Sequence, residues 1–417
     1  MHALHHVLPT LAVFFDPRSV SPLHLAAARG GRWNLLWLFN RQIADVAAVP
    51  LLARFGAVVD ITDASVEEAA DEVAPFRPDG IVAYADRQLM SAAHLAEHLG
   101  LAHNSPEVVN RLTDKHAQRR ALEEAGVAVP GYWLIRRDTT DAEIASLARG
   151  AHFPVVVKPR HGDGSRDTAP ARDLDELRAR IAGSRGDGDL VVEEFLPDGV
   201  ARDQQIIADY VSVETAVAGG ELRHIAVTGC FPLATPFRES GNFVPSALAP
   251  ADTEAVQRLA ADAIRALGVT SGITHTEIKL TPSGPCVIEV NGRIGGDLPD
   301  LLRLAAGRDM FEISAQVALH GRLPDDVPAQ CDQVGFIMNV QPDVGASSLE
   351  SIEGLNETAD LPGVEAVTLN RRPGDRLDWR DGTYGYLYSV LGSAADHDAM
   401  LRMRDEVLQH VCVRYGD

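Results

Sequence analysis

Along the first hundred residues, unbroken apolar runs alternate with stretches of helical spacing. TLAVFF (10–15), WNLLWLF (33–39), AVVDIT (57–62) and PDGIVAYAD (78–86) have strand length. ADVAAVPLLARFG (44–56), SVEEAADEVAPF (65–76) and LMSAAHLAEHLG (89–100) read as helices, the second opening on Ser65 and the third stopping at Gly100. Such alternation predicts a parallel sheet covered by helices. Ligands of these sheets sit at the carboxyl ends of the strands, where DPRSVSP (16–22) and ADRQ (85–88) would lie.

The pattern then changes. Residues 104–131 hold two helices, the second starting near Thr113 and Asp114 and stopping at Gly126, with Pro130 beyond. FPVVVKPRHGDGSRDTA (153–169) is strand, glycine loop, strand; DLDELRARIAG (173–183) is a capped helix; DLVVEEFLPDG (189–199) is a strand running into a turn. Antiparallel strands follow across 205–229, then a helix over 252–268. GITHTEIKLTPSGPCVIEVNGR (272–293) is two alternating runs around Pro and Gly, a hairpin. VGFIMNVQPD, VEAVTLNRRPGDRL and YGYLYSVLG suggest a small β-rich lobe that closes with the helix DAMLRMRDEVLQHV. The boundaries expected are 1–110, 111–190, 191–330 and 331–417.

Composition narrows the class. The 417 residues exceed one compact core. A formal net charge of -21 argues against nucleic acid or an anionic membrane as the main partner. The four cysteines are far apart with no CxxC pair, so they read as buried thiols of a reducing compartment. The N-terminus lacks the basic residues and cleavage site of a signal peptide, and no apolar run approaches a membrane span. A cytoplasmic protein is expected.

The hairpin carries the chemistry. Centring its loop on Ser283 sets Lys279 opposite Val287, Glu277 opposite Glu289 and His275 opposite Asn291. Glu277, Glu289 and Asn291 then share one face, with the valines and isoleucine of the strand in the core. Two carboxylates facing each other across a ladder repel. A divalent cation reverses that, and oxygen-only ligands favour Mg2+ or Mn2+. Magnesium held by few carboxylates implies a phosphate-bearing partner. The glycine loop supplies the place: Val155 and Val157 point one way, Val156 and Lys158 the other, and a strand lysine ahead of a Gly/Ser loop reaches phosphate. No GK[ST] follows, so this is not a Walker A loop, and no GxGxxG follows the first strand, against a Rossmann oxidoreductase.

Helix lysine, strand lysine with glycine loop, the EEFL turn, paired glutamates and N-x-R-x-G-G occur in an order that resembles the ATP-grasp superfamily. THTEIKL…GPCVIEVNGRIGGD with DYVSVE is most similar to its L-amino-acid ligase (dipeptide synthetase) branch. The resemblance implies an α/β and α+β chain: an ATP-grasp fold behind an N-terminal Rossmann-like, pre-ATP-grasp domain, with a small β-rich C-terminal lobe. It implies that Lys115 and Lys158 contact ATP phosphates, that Gly164 and Ser165 cover them, and that Glu193, Glu194, Phe195 and Leu196 hold adenine. Backbone groups of Glu194 and Leu196 would pair with the adenine edge, and Glu193 would accept from its amino group. Glu277, Glu289 and Asn291 would hold Mg2+ (or Mn2+), and Arg293 with the N–H groups of Gly295 and Gly296 would face the reacting carboxyl group. Arg166 and Asp167 stand where the family carries small residues, and Asp198 or Asp203 are the candidates to grip ribose. The activity implied is ATP-dependent joining of an amino acid or similar carboxylate to an amine through an acyl phosphate, with natural-product biosynthesis as one setting. A carrier-protein thiol or a carboxylase-type substrate is the alternative acceptor, and a degenerate nucleotide sensor would lack one of these acids or lysines. Glu214, Glu239 and Asp297 are candidate bases for the amine. The partners expected are small-molecule carboxylate and amine substrates, and the resemblance is compatible with a homodimer.

Overall fold

The early apolar runs lie side by side. β1 (Thr10–Phe14), β2 (Asn34–Phe39), β3 (Ala57–Asp60) and β4 (Gly80–Ala83) form a sheet in the order β3-β2-β1-β4, all parallel. The structure, a computed structural model, describes residues 8–184, 188–199 and 207–416. Leu11 and Val13 enter one core and Ala12 and Phe14 another, so the strand is apolar throughout because both sheet faces are covered. Parallel neighbours need crossovers. These are α1 (Pro22–Arg29), the single turn α2 (Val49–Leu52) and α3 (Val66–Val73), and α4 (Asp86–Leu99) follows the last strand. Helix α1 was not expected; Ser21 caps it, and Pro22 suits its first turn. The helix expected over 44–56 is instead a 3-10 turn at Val46–Ala48 followed by α2. Pro50 can open a helix but removes the N–H that would continue one.

Helices α5 (Pro106–Thr113) and α6 (Lys115–Glu124) lead into a small antiparallel lobe. Its strands β5 (Tyr132–Ile135), β6 (Val155–Pro159), β7 (Ala169–Ala171) and β8 (Leu190–Glu194) lie in the order β5-β8-β6-β7. One face carries Val155, Val157 and Val192 against α7 (Asp141–Gly150) and α8 (Leu174–Ala182), with Ile144 and Leu177 between them. The other face is left to Val156, Lys158 and Glu193, which open onto a cleft.

Beyond it come β9 (Tyr210–Ala218), β10 (Glu221–Cys230), β11 (Gly241–Val244), α9 (Pro250–Leu267), β12 (Ser271–Thr281), β13 (Gly284–Asn291), α10 (Leu298–Ala306) and α11 (Met310–His320). The last part holds β14 (Val334–Val340), β15 (Ser348–Glu353), α12 (Leu355–Ala359), β16 (Val364–Leu369), β17 (Tyr388–Ala394), α13 (His397–His410) and β18 (Cys412–Gly416). The two parts share one eight-stranded sheet, β13-β12-β9-β10-β11-β14-β17-β16, so three C-terminal strands extend the sheet that bears the hairpin. The chain does not close on a helix as expected: β18 follows α13 and pairs with β15. Helix α11 packs Met310, Phe311 and Ile313 into a core shared with Leu11 and Val13 of the N-terminal sheet and Ala216 of β9, joining that domain to the large sheet. Among the described residues no helix is long and apolar enough to cross a membrane.

Candidate active site

The hairpin brings the expected acids together by a different route. Its turn is tighter than expected: Thr281 pairs with Gly284, so Lys279 faces Cys286, not Val287, and Ile278 faces Val287. A β-bulge then inserts Ile288 and restores the register at the site, with Glu277 opposite Glu289 and His275 opposite Asn291. A bulge adds one residue to one strand and re-aims its side chains. Val287 and Val290 stay fully buried, whereas Ile288, expected in the core, turns with Glu289 into the cleft. Asn291 Nδ2 donates to Glu277 Oε1 at 3.3 Å, so the amide and one acid meet.

The residues fit a divalent cation that is shared with phosphate. Burial pushes the Glu277 carboxyl up to about 7, and Glu289 and Glu239 add to it against His275. A carboxylate held in that state gains from a cation beside it. Glu289 goes the other way: Lys115 and Lys158 outweigh its burial and lower it, and Lys115 Nζ lies 3.0 Å from its Oε1. Among the described residues no three His, Cys, Asp or Glu side chains group to hold a metal by themselves. Two carboxylates and an amide oxygen leave coordination positions for phosphate and water, which suits Mg2+.

Lys115 and Lys158 reach this cleft from different elements. Lys115 is the first residue of α6; Asp114 caps that helix through the N–H groups of His116 and Ala117. Lys115 Nζ also donates to Gly162 O at 2.6 Å, at the start of the glycine loop. Lys158 Nζ is 2.7 Å from Glu193 Oε2. Arg119, one turn along α6 and absent from the sequence reading, holds both Glu193 oxygens at 3.0 and 3.1 Å, and donates to the Ile288 carbonyl at the bulge. Burial pushes Glu193 up, but Arg119 and Lys158 overcome it and hold the carboxyl at about 2. Burial also lowers Lys158, with Arg119 adding to it against Glu193. The expectation that Glu193 accepts from adenine is therefore corrected: both its oxygens are committed to buried cations, and it sets the position of Lys158. A signal for Arg119 existed, since a helix residue four after Lys115 shares its face.

The hinge is also partly committed. Glu194 N–H donates to the Gly131 carbonyl at 2.8 Å, and the Glu194 side chain turns out to His152. Among the described residues its carbonyl takes no hydrogen bond outside the sheet and is left for a base edge. Among the described residues the Leu196 N–H has no acceptor. Val156, Phe195, Leu196 and Ile288 make the apolar walls there. Asp198 is drawn to Lys279 at 2.8 Å, and Asp203 lies outside the described residues.

At the far end Arg293 lines the cleft and is anchored by Asp86, the first residue of α4, at 2.8 Å. The N-terminal domain thus reaches the site through the segment expected at its strand ends. The cleft wall does not include Gly295 or Gly296, but neither N–H has an acceptor among the described residues. A Cβ on Gly295 would come within 2.7 Å of His275 Nδ1, so the glycine makes room for that ring. His275 is hydrogen-bonded to Glu214 at 2.9 Å, and Glu214, fully buried, also accepts from Ser212 and Thr228. That excludes Glu214 as a base; it fixes His275, which Glu214 raises to about 9 against the effect of burial. Asp297 accepts from Asn339 at 3.3 Å. Glu239 has no hydrogen-bond or ion-pair partner for its carboxylate among the described residues, and burial raises it.

The cleft enclosed by these groups measures about 520 Å³, the size of a small-molecule site. Over it lies the loop with Gly164 and Ser165. Arg166 folds back to pair with Asp163, and Ser165 and Asp167 take φ of 55° and 51°.

The fold is the ATP-grasp fold, and residues 112–297 match the family model described as ATP-grasp domain. The chain is 29% identical over 373 residues to an uncharacterized protein, y4rH, of Sinorhizobium fredii, covering 86% of this chain and 74% of that one. It is 26% identical over 336 residues to an L-arginine-specific L-amino acid ligase of Bacillus subtilis, covering 77% of each. An L-amino acid ligase structure from Bacillus licheniformis superposes with a TM-score of 0.78 over 98% of this chain and 99% of that chain, at 21% identity. The chain is an ATP-dependent ligase of the carbon–nitrogen bond-forming class.

Proposed function

We propose that the chain joins the carboxyl group of an amino acid, or a similar small carboxylate, to an amine through an acyl phosphate, releasing ADP and phosphate. The observation that carries this reading is that one cleft is lined by all of these groups. It gathers the apolar hinge, Lys158, Lys115, Glu289, Glu277, Asn291, Arg293 and Glu239, with Lys115 on Glu289 and Asn291 on Glu277. The relatives named as amino acid ligases support amino acid substrates.

Val156, Phe195, Leu196 and Ile288 hold adenine, and Lys115 and Lys158 hold the phosphates. Glu277, Glu289 and Asn291 would hold Mg2+, which supplies neutralisation of the phosphate oxygens when bound. The substrate carboxylate attacks the γ-phosphorus, ADP leaves, and an acyl phosphate forms. Arg293 faces the acyl oxygen and stabilises the negative charge it gains when the amine attacks, and the acceptor-free N–H groups of Gly295 and Gly296, set back from the cleft wall, are further donors for a substrate that reaches them; a donor so placed contributes about 3–4 kcal/mol. Phosphate then leaves the acyl carbon. Glu239 is the group placed to take a proton from the substrate ammonium, which frees the lone pair of the amine that attacks. Burial raises its carboxyl, which makes the carboxylate a stronger base.

The test is phosphate release screened against pairs of amino acids, with the products identified by mass spectrometry. Release should need the amine as well as the carboxylate, and Glu289→Gln should abolish it. Release that ignores the amine, or an active Glu289→Gln enzyme, sinks this reading.

A further inference from the structure

The glycine loop does not close on the metal hairpin alone. A segment of the C-terminal part, Trp379–Gly385, lies against it. Thr383 N–H donates to the Gly164 carbonyl at 2.8 Å, and Asp167 N–H donates to the Arg380 carbonyl at 3.2 Å. Tyr384 Oη donates to Asp163 Oδ2 at 3.2 Å. The Tyr384 ring occupies the space where a side chain on Gly164 would project, and Gly382 comes so close that any Cβ would collide with the Gly164 carbonyl. Gly382 has φ 67° and ψ −146°, a backbone open to glycine alone. Trp379 lies under Arg180 of α8, 5.5 Å from its ring centroid, so the contact extends to the body of the small lobe.

The same segment holds the other end of the cleft. Thr383 Oγ1 accepts from the Glu239 N–H at 3.2 Å, and Gln341 Nε2 donates to the carbonyls of both Glu239 and Thr383, at 2.7 and 2.9 Å. These contacts give Arg166 and Asp167 a function. Arg166 pairs with Asp163, the acceptor of Tyr384, and Asp167 presents its N–H to Arg380.

We propose that Tyr384, Thr383 and Gly382 are positioning residues: they form the seat onto which the glycine loop closes, and so hold it over the nucleotide phosphates. The seat lies between β16 and β17 of the eight-stranded sheet, outside the four-stranded sheet of the small lobe. Closing the loop onto it excludes water from the phosphate end of the cleft. The inference rests on the reading of 161–168 as the phosphate cover.

Arg166 is exposed in the closed loop and offers a trypsin site at its crest. The experiment follows cleavage of the full chain after Arg166 by mass spectrometry, with and without Mg·AMP-PNP, and the dissociation rate of mant-ADP in Mg2+. In the wild type, Mg·AMP-PNP should slow that cleavage. Tyr384→Ala, at an unchanged melting temperature, should speed cleavage several-fold in the presence of Mg·AMP-PNP and speed mant-ADP release by a similar factor. Gly382→Ala, by propping the loop off its seat, should do the same. Tyr384→Phe keeps the ring and serves where Ala does not fold, with a smaller change of the same sign. A folded Tyr384 variant with wild-type cleavage and release overturns the seat while leaving the cover intact. No protection of the wild type by Mg·AMP-PNP overturns the cover and the seat together.

Discussion

At the scale of single residues the cleft is a balance of buried charges. Glu193 lies between Arg119 and Lys158, and Glu289 lies beside Lys115, so these acids are ionised inside the protein. Breaking one partner of such a buried set costs about 3–5 kcal/mol, which is why Glu193 serves as scaffold and is not free to read adenine. Among the described residues Glu277 has no lysine or arginine ion pair, and burial raises its carboxyl from 4.5 to about 7. The folded state therefore binds that proton more tightly than the unfolded chain. The contribution of Glu277 to stability is most favourable below about 4.5, is lost as pH rises towards about 7, and is level above that. In EDTA, Glu277→Gln should raise stability above pH 7 by on the order of 1–3 kcal/mol, and Mg2+ should stabilise the wild type but not the variant. Melting curves at pH 5 and pH 8, with and without Mg2+, decide it; a wild type whose response to Mg2+ is the same at both pH values refutes it. Glu277, Glu289, Asn291 and Lys158 were legible as polar residues at patterned positions, whereas Lys115 came from the family resemblance alone. Arg119 carried only the weak signal of sharing a helix face with Lys115, because a basic residue on a helix looks solvated until the strand opposite it is known.

At the scale of elements, two local devices place the site. Asp114 stops α5 and caps α6, and its other oxygen takes Arg160, 2.6 Å away, from the end of β6. One side chain thus fixes both Lys115 and the strand that carries Lys158. Asp114→Ala should lose the cap, about 0.5–2 kcal/mol, and leave Arg160 without that partner. Nucleotide affinity should fall along with the melting temperature, and mant-ADP titration measures it; unchanged affinity would detach the cap from the site. The second device is the bulge at Ile288. Sequence reading placed Glu277 opposite Glu289 correctly through a symmetric loop that does not exist. A two-residue turn and one extra residue reach the same pairing. Alternation could not reveal this, since IEVN continues the apolar–polar pattern whether or not one residue is looped out.

At the scale of the molecule, the eight-stranded sheet makes the C-terminal part a continuation of the catalytic sheet. β14 pairs with β11 and β17 with β14, and Phe336 and Met338 share a core with Phe231 and Phe243. A chain stopped at Gly321 would expose the edge of β11 and open that core. It should give little soluble protein and no cooperative melt, as expression yield and circular dichroism would show; a stable truncated chain would mean the hairpin sheet needs no C-terminal strands. The N-terminal domain is tied in as firmly, by α11 in the shared core and by Asp86 on Arg293.

The sequence by itself determined the parallel N-terminal sheet, the hairpin, the strand lysine Lys158 and the oxygen-rich face that asks for a cation, because periodicity and charge repulsion act between near neighbours. Only the tertiary structure decided which groups are committed and which are free. Glu193, Glu214 and Asp86 each found partners from distant elements, while the Glu239 carboxylate found none among the described residues. It also decided that the loop around Gly164 meets Tyr384. Residues more than two hundred positions apart carry no shared pattern, and their contact exists only once three strands of the C-terminal part have joined the sheet.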